Sequence, residues 1–242
     1  MIRNFIVVDW KVHTYASLPS TQDYVKELVE EGLEEGIVVQ CLEQRSGRGR
    51  HGNTWFSPMG NLYMSILLRP KCDVKQAGQM SFVAAVALSA AMDEVVDTKQ
   101  HTKTLKWPND ILIDGKKVSG ILIEKEADGY ALGMGVNIMN PPDQGVGLSQ
   151  VSWEIQVAIH PFRDKVLEKL SYYYDLWQDK GFAEIRELWL SQAHGLGERI
   201  KARLAKGEKS GVFEGLSLEG ALLLKQDDGE ILDINAGEVY FS

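Results

Sequence analysis

Apolar positions along the chain alternate between short runs of period two and longer runs of helical period, in an order that reads as a mixed α and β fold. Val12 to Ala16 reads as a short strand. Ser20 then has the chemistry of a helix N-cap, with Asp23 three residues on as a short-side-chain capping box. A helix from Thr21 to about Glu31 follows, its apolar face made by Tyr24, Val25, Leu28 and Val29. Gly32 and Gly36 close it, and Ile37 to Glu43 forms a buried strand. The segment from Gln44 to Thr54 holds three glycines and no aliphatic residue, so it is a loop. Asn61 to Leu68 returns to strand, with Leu62, Met64, Ile66 and Leu68 in phase. Lys75 to Val96 reads as one helix, rich in alanine and apolar on a broad face.

Thr104 to Lys106 is a brief strand ending in a Trp-Pro-Asn-Asp turn. A meander comes next: Ile111 to Ile113 and Lys116 to Glu124 flank Asp114-Gly115, a dipeptide that favours the type I′ turn. Asp128-Gly129 turns the chain into Tyr130 to Val136. Gln144 to Trp153 reads as loop, and His160 to about Asp179 as an amphipathic helix. After Ser191 the pattern changes to short strands at Arg199–Leu204, Gly211–Leu216, Leu222–Lys225, Glu230–Ile234 and Glu238–Phe241. Their tight glycine turns, Asp228-Gly229 among them, fit a small β-barrel or sheet of about 50 residues.

A chain of 242 residues with 44% apolar residues can bury a core without disulfides or a structural metal. Cys41 and Cys72 lack metal-ligand spacing and read as unpaired thiols of a reducing compartment. Asp9 interrupts the short apolar run near the N-terminus, so no secretory leader is expected. No apolar run reaches bilayer-spanning length, so the expected location is cytoplasmic, with no membrane partner. The net charge of −8 argues against a general surface for nucleic acid. The charge is unevenly placed, however. From Gln44 to Cys72 there is no carboxylate, where about four would be expected from the overall composition, while Arg45, Arg48, Arg50, Arg69 and Lys71 are present. An acidic chain with one such segment suggests a local anion site.

Three constellations carry candidate chemistry. In Ser46-Gly-Arg-Gly-Arg-His-Gly52, glycines free the backbone N–H groups to turn toward an anion and arginines supply forked donors. By itself such a run also suits a solvated or RNA-binding loop, and it lacks the Gly-Lys-Ser/Thr ending of a P-loop. Lys106-Trp-Pro-Asn-Asp110 is a rigid turn offering polar groups at a sheet edge. Asp110 there suits Mg²⁺, the orienting of a lysine, or an Asx-turn closed on its own backbone. In Gly115-Lys-Lys-Val-Ser-Gly-Ile-Leu-Ile-Glu124, Lys117 stands where it can reach over a sheet face to a phosphate or snorkel into solvent. Asn137, after the two glycines of Gly133-Met-Gly-Val-Asn137, suits an adenine edge or a strand-end cap.

Taken together and in this order, Gly47-Arg-Gly-Arg50, Trp55-Phe-Ser-Pro58, Gly60-Asn-Leu-Tyr63, Lys106-Trp-Pro-Asn-Asp110, Lys117-Val-Ser-Gly-Ile-Leu122 and Gly133-Met-Gly-Val-Asn137 resemble the motif series of biotin–protein ligases. The likeness runs from about Val12 to the end, Ala236-Gly-Glu-Val239 resembling the family's C-terminal domain. It implies an α+β fold: a mixed-sheet catalytic domain over residues 1–192 and an SH3-like β-barrel over 193–242. It implies activation of biotin by ATP with Mg²⁺ as biotinyl-AMP, and transfer to a lysine of a carboxylase's biotin carboxyl carrier domain.

The same resemblance assigns roles. Ser20, Thr21 and Gln22 would line the biotin pocket, and Gln44 with Arg48, Gly49 and Arg50 would bind biotin's ureido and carboxylate groups and the activated phosphate. Lys117 would hold carboxylate and phosphate during adenylation, Trp55 and Asn137 would contact adenine, and Asp110 would assist the metal or the incoming lysine. Lys117, Arg50 and Asp110 are thus the expected catalytic groups, with direct metal ligands unassigned. The loop from Gln44 to Thr54 is expected to order only around ligand, its arginines repelling one another until an anion arrives. Gln22 stands where the family has Asn, and Asn53 where it has Arg. The N-terminal winged helix of many family members has no counterpart here, so no DNA binding is expected, and the resemblance allows a homodimer. Competing functions are a lipoate–protein ligase, a non-catalytic biotin or nucleotide sensor, and an RNA-binding module. The Gly-Arg-Gly-Arg loop and the Trp-Pro-Asn-Asp turn favour biotin over lipoate.

Overall fold

A computed structural model describes residues 8–153, 156–204 and 207–241. The N-terminal apolar run that bears on a leader lies outside the described residues except for Val8. Two sheets organise the chain. The first has seven strands: β1 (Lys11–Leu18), β2 (Ile37–Gln44), β3 (Leu62–Leu68), β4 (Lys103–Lys106), β5 (Asp110–Ile113), β6 (Lys116–Lys125) and β7 (Tyr130–Val136). Their spatial order is β1-β2-β3-β7-β6-β5-β4, with β1 and β2 parallel and every other pair antiparallel. The parallel pair requires a crossover, which is α1 (Thr21–Glu30).

β3 shows how the sheet is held. Its whole length, Leu-Tyr-Met-Ser-Ile-Leu-Leu, is buried, because it lies between β2 and β7 and both of its faces are covered. Leu62, Met64, Ile66 and Leu68 join a core built on α2 (Met80–Met92). Tyr63 and Leu67 join a second core with Val25 and Val29 of α1. Each such Leu or Ile contributes about 1.5–3 kcal/mol on burial. Both hairpin turns form as read, and Asp114 (φ 50°) and Gly115 (φ 76°) take the paired left-handed conformation of a type I′ turn.

Three elements differ from the sequence reading. The expected helix from Lys75 is a 3-10 turn at Val74–Gln79 followed by α2, because Asp73 and Gln76 form a capping box and Gly78 weakens a continuous helix. The Gln144–Trp153 loop contains a single helical turn, α3 (Leu148–Val151). After α4 (Ile159–Lys180), Gly181 breaks the helix at φ 77° and α5 (Phe182–Leu190) begins again. Its buried Phe182, Ile185 and Trp189 keep helical spacing, a pattern present in the sequence.

The second sheet comprises β8 (Arg199–Leu204), β9 (Gly207–Leu216), β10 (Leu222–Lys225), β11 (Ile231–Ile234) and β12 (Glu238–Phe241), antiparallel in the order β11-β10-β9-β8-β12. Its inward residues Ile200, Phe213, Leu222 and Val239 belong to the same buried cluster as α2 and α4. Trp107, in the turn between β4 and β5, donates its indole N–H at 3.3 Å to the oxygen of Gly220, in the turn between β9 and β10.

Candidate active site

The α1 face of the large sheet carries a cleft of about 270 Å³, rimmed by the Gln44–Thr54 loop, the Trp-Pro-Asn-Asp turn and β12. Its floor is glycine by necessity. Gly120 on β6 and Gly135 on β7 are cross-strand partners, and the Trp55 indole lies on the pair. A Cβ at Gly135 would stand 2.4 Å from both Cε2 and Nε1 of Trp55, and one at Gly120 would stand 2.9 Å from Cζ3. Gly133 likewise leaves room for the Gln22 side chain, where a Cβ would meet Oε1 at 2.9 Å.

Lys117 owes its position to a β-bulge. Ile111 pairs with Ser119 but Leu112 pairs with Lys117, so Val118 is an extra residue, and the bulge re-aims the side chain before it. Lys117 Nζ lies 2.6 Å from Asp110 Oδ1 and 5.2 Å from the centre of the Trp55 ring, within cation–π range. Asp110 enters from the far side of the Trp-Pro-Asn-Asp turn, whose Trp107–Pro108 peptide is cis. Next to it, Asn109 accepts from Arg50 Nη1 at 3.4 Å and donates to Ile121 O at 2.6 Å.

Ser20 caps α1 by accepting from Gln22 N, with φ −154° and ψ 140°. Thr21 donates through N (2.9 Å) and Oγ1 (3.2 Å) to Gln44 Oε1, and its hydroxyl is 2.7 Å from that of Ser65. Gln44 Nε2 donates to Ser57 Oγ at 2.9 Å, so both ends of its amide are engaged by the protein. Gln22 Nε2 donates to Glu124 Oε2 (3.0 Å) and Ala131 O (3.3 Å). Four Lys or Arg side chains (Arg48, Arg50, Lys106, Lys117) line the cleft against two carboxylates (Asp110, Glu238), leaving an excess of positive charge. Burial pulls the Arg50 guanidinium and the Lys106 ammonium below their ordinary values, and Asp110 and Glu238 push both back up. Desolvated cations of this kind interact strongly with an entering anion.

Ser20, Thr21, Gln22, Gln44, Arg48, Gly49, Arg50, Trp55, Asp110 and Lys117 therefore meet in one cleft. Asn137 does not. It is 1% exposed, with Nδ2 donating to Lys117 O at 3.2 Å, so it supports the backbone behind Lys117 instead of lining the cleft. Each of the loop arginines has a partner of its own. Arg48 Nη2 pairs with Asp23 (2.9 Å) and Glu124 (2.8 Å), Arg45 Nη1 donates to Ser17 Oγ (3.2 Å), and Arg50 has Asn109. Asp23 serves this pair and not a capping box. Asn53 contributes its carbonyl, which accepts from Gly49 N at 2.7 Å.

The sequence reading missed Ser65, Asn109, Glu124, Glu238 and Tyr240. Ser65 had a signal, being a lone hydroxyl in an apolar strand, and Asn109 sat inside a motif already singled out. Glu238 and Tyr240 reach the cleft from the second sheet, which no local pattern announces. Among the described residues, no cluster of three or more His, Cys, Asp or Glu side chains offers a metal cage, and no helix is long and apolar enough to cross a membrane.

Residues 15–139 match the model of the biotin/lipoate A/B protein ligase family, and residues 195–242 match that of the biotin protein ligase C terminal domain. A biotin–[acetyl-CoA-carboxylase] ligase of Paracoccus denitrificans is 39% identical over 225 residues, 87% of this chain and 92% of the relative. The bifunctional ligase/repressor BirA of Bacillus subtilis is 34% identical over 226 residues, 88% of this chain and 68% of the relative. The biotin protein ligase of Aquifex aeolicus in complex with biotin and ATP superposes with a TM-score of 0.83 at 30% identity, covering 95% of this chain and 97% of that one.

Proposed function

This chain belongs to the biotin–protein ligase family, and we infer that it is a ligase that activates biotin with ATP and transfers it to a carrier protein. The observation that carries the residue-level reading is the convergence of Lys117 and Arg50 with the Trp55 indole in one cleft. A carboxylate oxygen of biotin must attack the α-phosphorus of ATP although both reactants are anionic. Lys117 and Arg50 would neutralise that repulsion and the charge that builds on the phosphoryl oxygens as pyrophosphate leaves. Trp55, held flat on Gly120 and Gly135, offers a ring face to the adenine or the acyl chain.

In the second half-reaction, an acceptor ε-amine attacks the acyl carbon, the bond to phosphate breaks, and AMP leaves. Asp110 beside Lys117 is the carboxylate positioned to take the proton that the amine sheds or to steer the amine in. Mg²⁺ would neutralise phosphate charge when bound. The residues fit it in the way usual for this ion, with one carboxylate, Asp110, and the nucleotide supplying the other ligands. Ser20, Thr21, Gln22 and Gln44 would form the biotin end, Gln44 chiefly by fixing Thr21. Asn137 would act through the Lys117 backbone.

The acceptor would be the carrier domain of a carboxylase, met in the cytoplasm, with residues 1–192 forming the ligase unit and 193–242 lending β12 to its rim. The test is biotin-dependent exchange of labelled pyrophosphate into ATP, with lipoate as control. Exchange that is driven by biotin and not by lipoate is expected. Exchange that needs neither, or that lipoate drives equally well, overturns the reading.

A further inference from the structure

The tip of the Gln44–Thr54 loop is joined to the rest of the fold by very little. Its stem is pinned by backbone bonds, Arg45 N to Leu18 O at 3.0 Å and Ser46 N to Pro19 O at 2.9 Å. From residue 48 to 53 the backbone bonds only within the loop, through Gly49 N to Asn53 O, Asn53 N to Arg50 O and a bridge between Arg48 and Thr54. Among the described residues, the hydrogen bonds and ion pairs from this tip to other elements run through two side chains. Arg50 reaches a neutral oxygen at 3.4 Å. Arg48 reaches two carboxylates at 2.9 and 2.8 Å. Ordering glycine-containing backbone costs about 1–2 kcal/mol per residue, and the tip has no aliphatic side chain to offset it. Arg48 is therefore the principal tether.

We propose that Asp23 and Glu124 are positioning residues that clasp Arg48 and hold the loop over the cleft, so that the acyl adenylate is retained until the acceptor lysine arrives. This rests on the ligase reading above and extends it to residues outside the reacting groups. Asp23 stands in the first turn of α1 and Glu124 near the end of β6, so one guanidinium joins the loop to two separate elements. The same Glu124 Oε2 that accepts from Arg48 also accepts from Gln22 Nε2 at 3.0 Å, so the clasp is continuous with the biotin end of the cleft. With the loop lifted, water reaches the mixed anhydride. It attacks the acyl carbon, the bond to phosphate breaks, AMP leaves, and free biotin carboxylate is regenerated with loss of a proton. ATP is then consumed without transfer.

Both carboxylates and Arg48 are partly exposed, with side-chain accessibilities of 44%, 35% and 43%, so the clasp is weak enough to open for substrate and sensitive to salt. The test uses Asp23→Asn, Glu124→Gln and the double variant, with Glu124→Asp as the charge-retaining control. Two exposed pairs of this kind predict about fivefold faster amide exchange across residues 44–54 in the double variant. Exchange in β3 and α2 should not change. The ratio of AMP released to biotin transferred should rise above one in the double variant and stay near one in Glu124→Asp. High salt should bring the wild-type loop to the double variant's exchange rate and leave the double variant unaffected. Unchanged loop exchange in the double variant overturns the clasp. Faster exchange with an unchanged AMP-to-biotin ratio overturns its role in retention. Failure of biotin to drive pyrophosphate exchange in wild type would overturn the ligase reading instead, while loop exchange would still report on the clasp.

Discussion

Replacing Gly135 by alanine should damage the enzyme far more than it damages the fold. The added Cβ would lie 2.4 Å from two atoms of the Trp55 indole, a rigid ring with no flexible end to move aside. Ordinary contact begins near 3.4 Å, so the ring must shift by about 1 Å, an overpacking that typically costs about 1–3 kcal/mol. Alanine recovers about 0.5–1 kcal/mol of backbone entropy in a strand. The net loss is then about 1 kcal/mol, or roughly 2–4 °C in Tm for a protein of this size. Activity should fall much further, because Lys117 sits 5.2 Å from that ring and a misplacement of about 1 Å at a reacting group costs on the order of 10²-fold. Gly120→Ala is the built-in comparison. The nearest contact there is Trp55 Cζ3 at 2.9 Å and the next two are the Cε and Nζ of Lys117 at 3.2 and 3.3 Å, which can swing away, so Tm should fall less while turnover also drops because the cation is displaced. The two variants should be compared by pyrophosphate exchange and by thermal melting. Gly135→Ala with wild-type turnover, or with a loss of Tm no greater than that of Gly120→Ala, would refute the account of Trp55 as a ring seated on glycine.

Other outcomes follow from single groups. Lys117→Ala should lower adenylation by about 10²-fold or more with little change in Tm, and wild-type exchange would remove Lys117 from the chemistry. Burial pushes the Cys41 thiol up to about 12 and also raises Cys72, so at pH 8 a disulfide reagent should leave Cys41 unreacted until urea unfolds the chain. Rapid reaction of both thiols in the native protein would contradict this. The hydrogen bond from His101 holds the Asp114 carboxyl below its ordinary 3.8, so its stabilisation is present above that value and is lost as pH falls through the lower folded value. Asp114→Asn, which tolerates the local φ of 50°, should be less stable than wild type at neutral pH, with the gap closing on acidification; a gap constant with pH would refute the linkage.

What was legible in the sequence was local. The Ser20 cap, the Asp114-Gly115 turn and strands such as Tyr130–Val136 are written in residues a few positions apart. Gly133 and Gly135 were readable as a motif, but their purpose was not, since the side chains they admit, Gln22 and Trp55, come from distant parts of the chain. The partners of Arg48 were equally hidden. Glu124 is 76 residues away, and nothing in a glycine–arginine loop says which carboxylate will face it. Asn137 was assigned to adenine by resemblance alone, and a residue following two glycines can as easily bond the neighbouring strand's carbonyl, which is where its amide lies. The bulge at Val118 depends on the register between β5 and β6, which only the paired strands determine.

The buried cluster that runs without a break from α2 and α4 into the second sheet has a consequence for how the protein comes apart. Phe82 meets Phe182 and Trp189 edge to face at 5.4 Å each, and a Cβ on Gly220 would touch the Phe82 ring at 2.9 Å. Heat or denaturant cannot strip the last 50 or so residues away without baring Ile200, Phe213, Leu216 and the aromatic ring system they cover. The point where the chain passes from one sheet to the other is thus a border of connectivity and not of cooperativity. Melting should give one calorimetric peak whose calorimetric and van't Hoff enthalpies agree, and a fragment ending at residue 192 should behave as a sticky, partly folded species, not as a smaller enzyme.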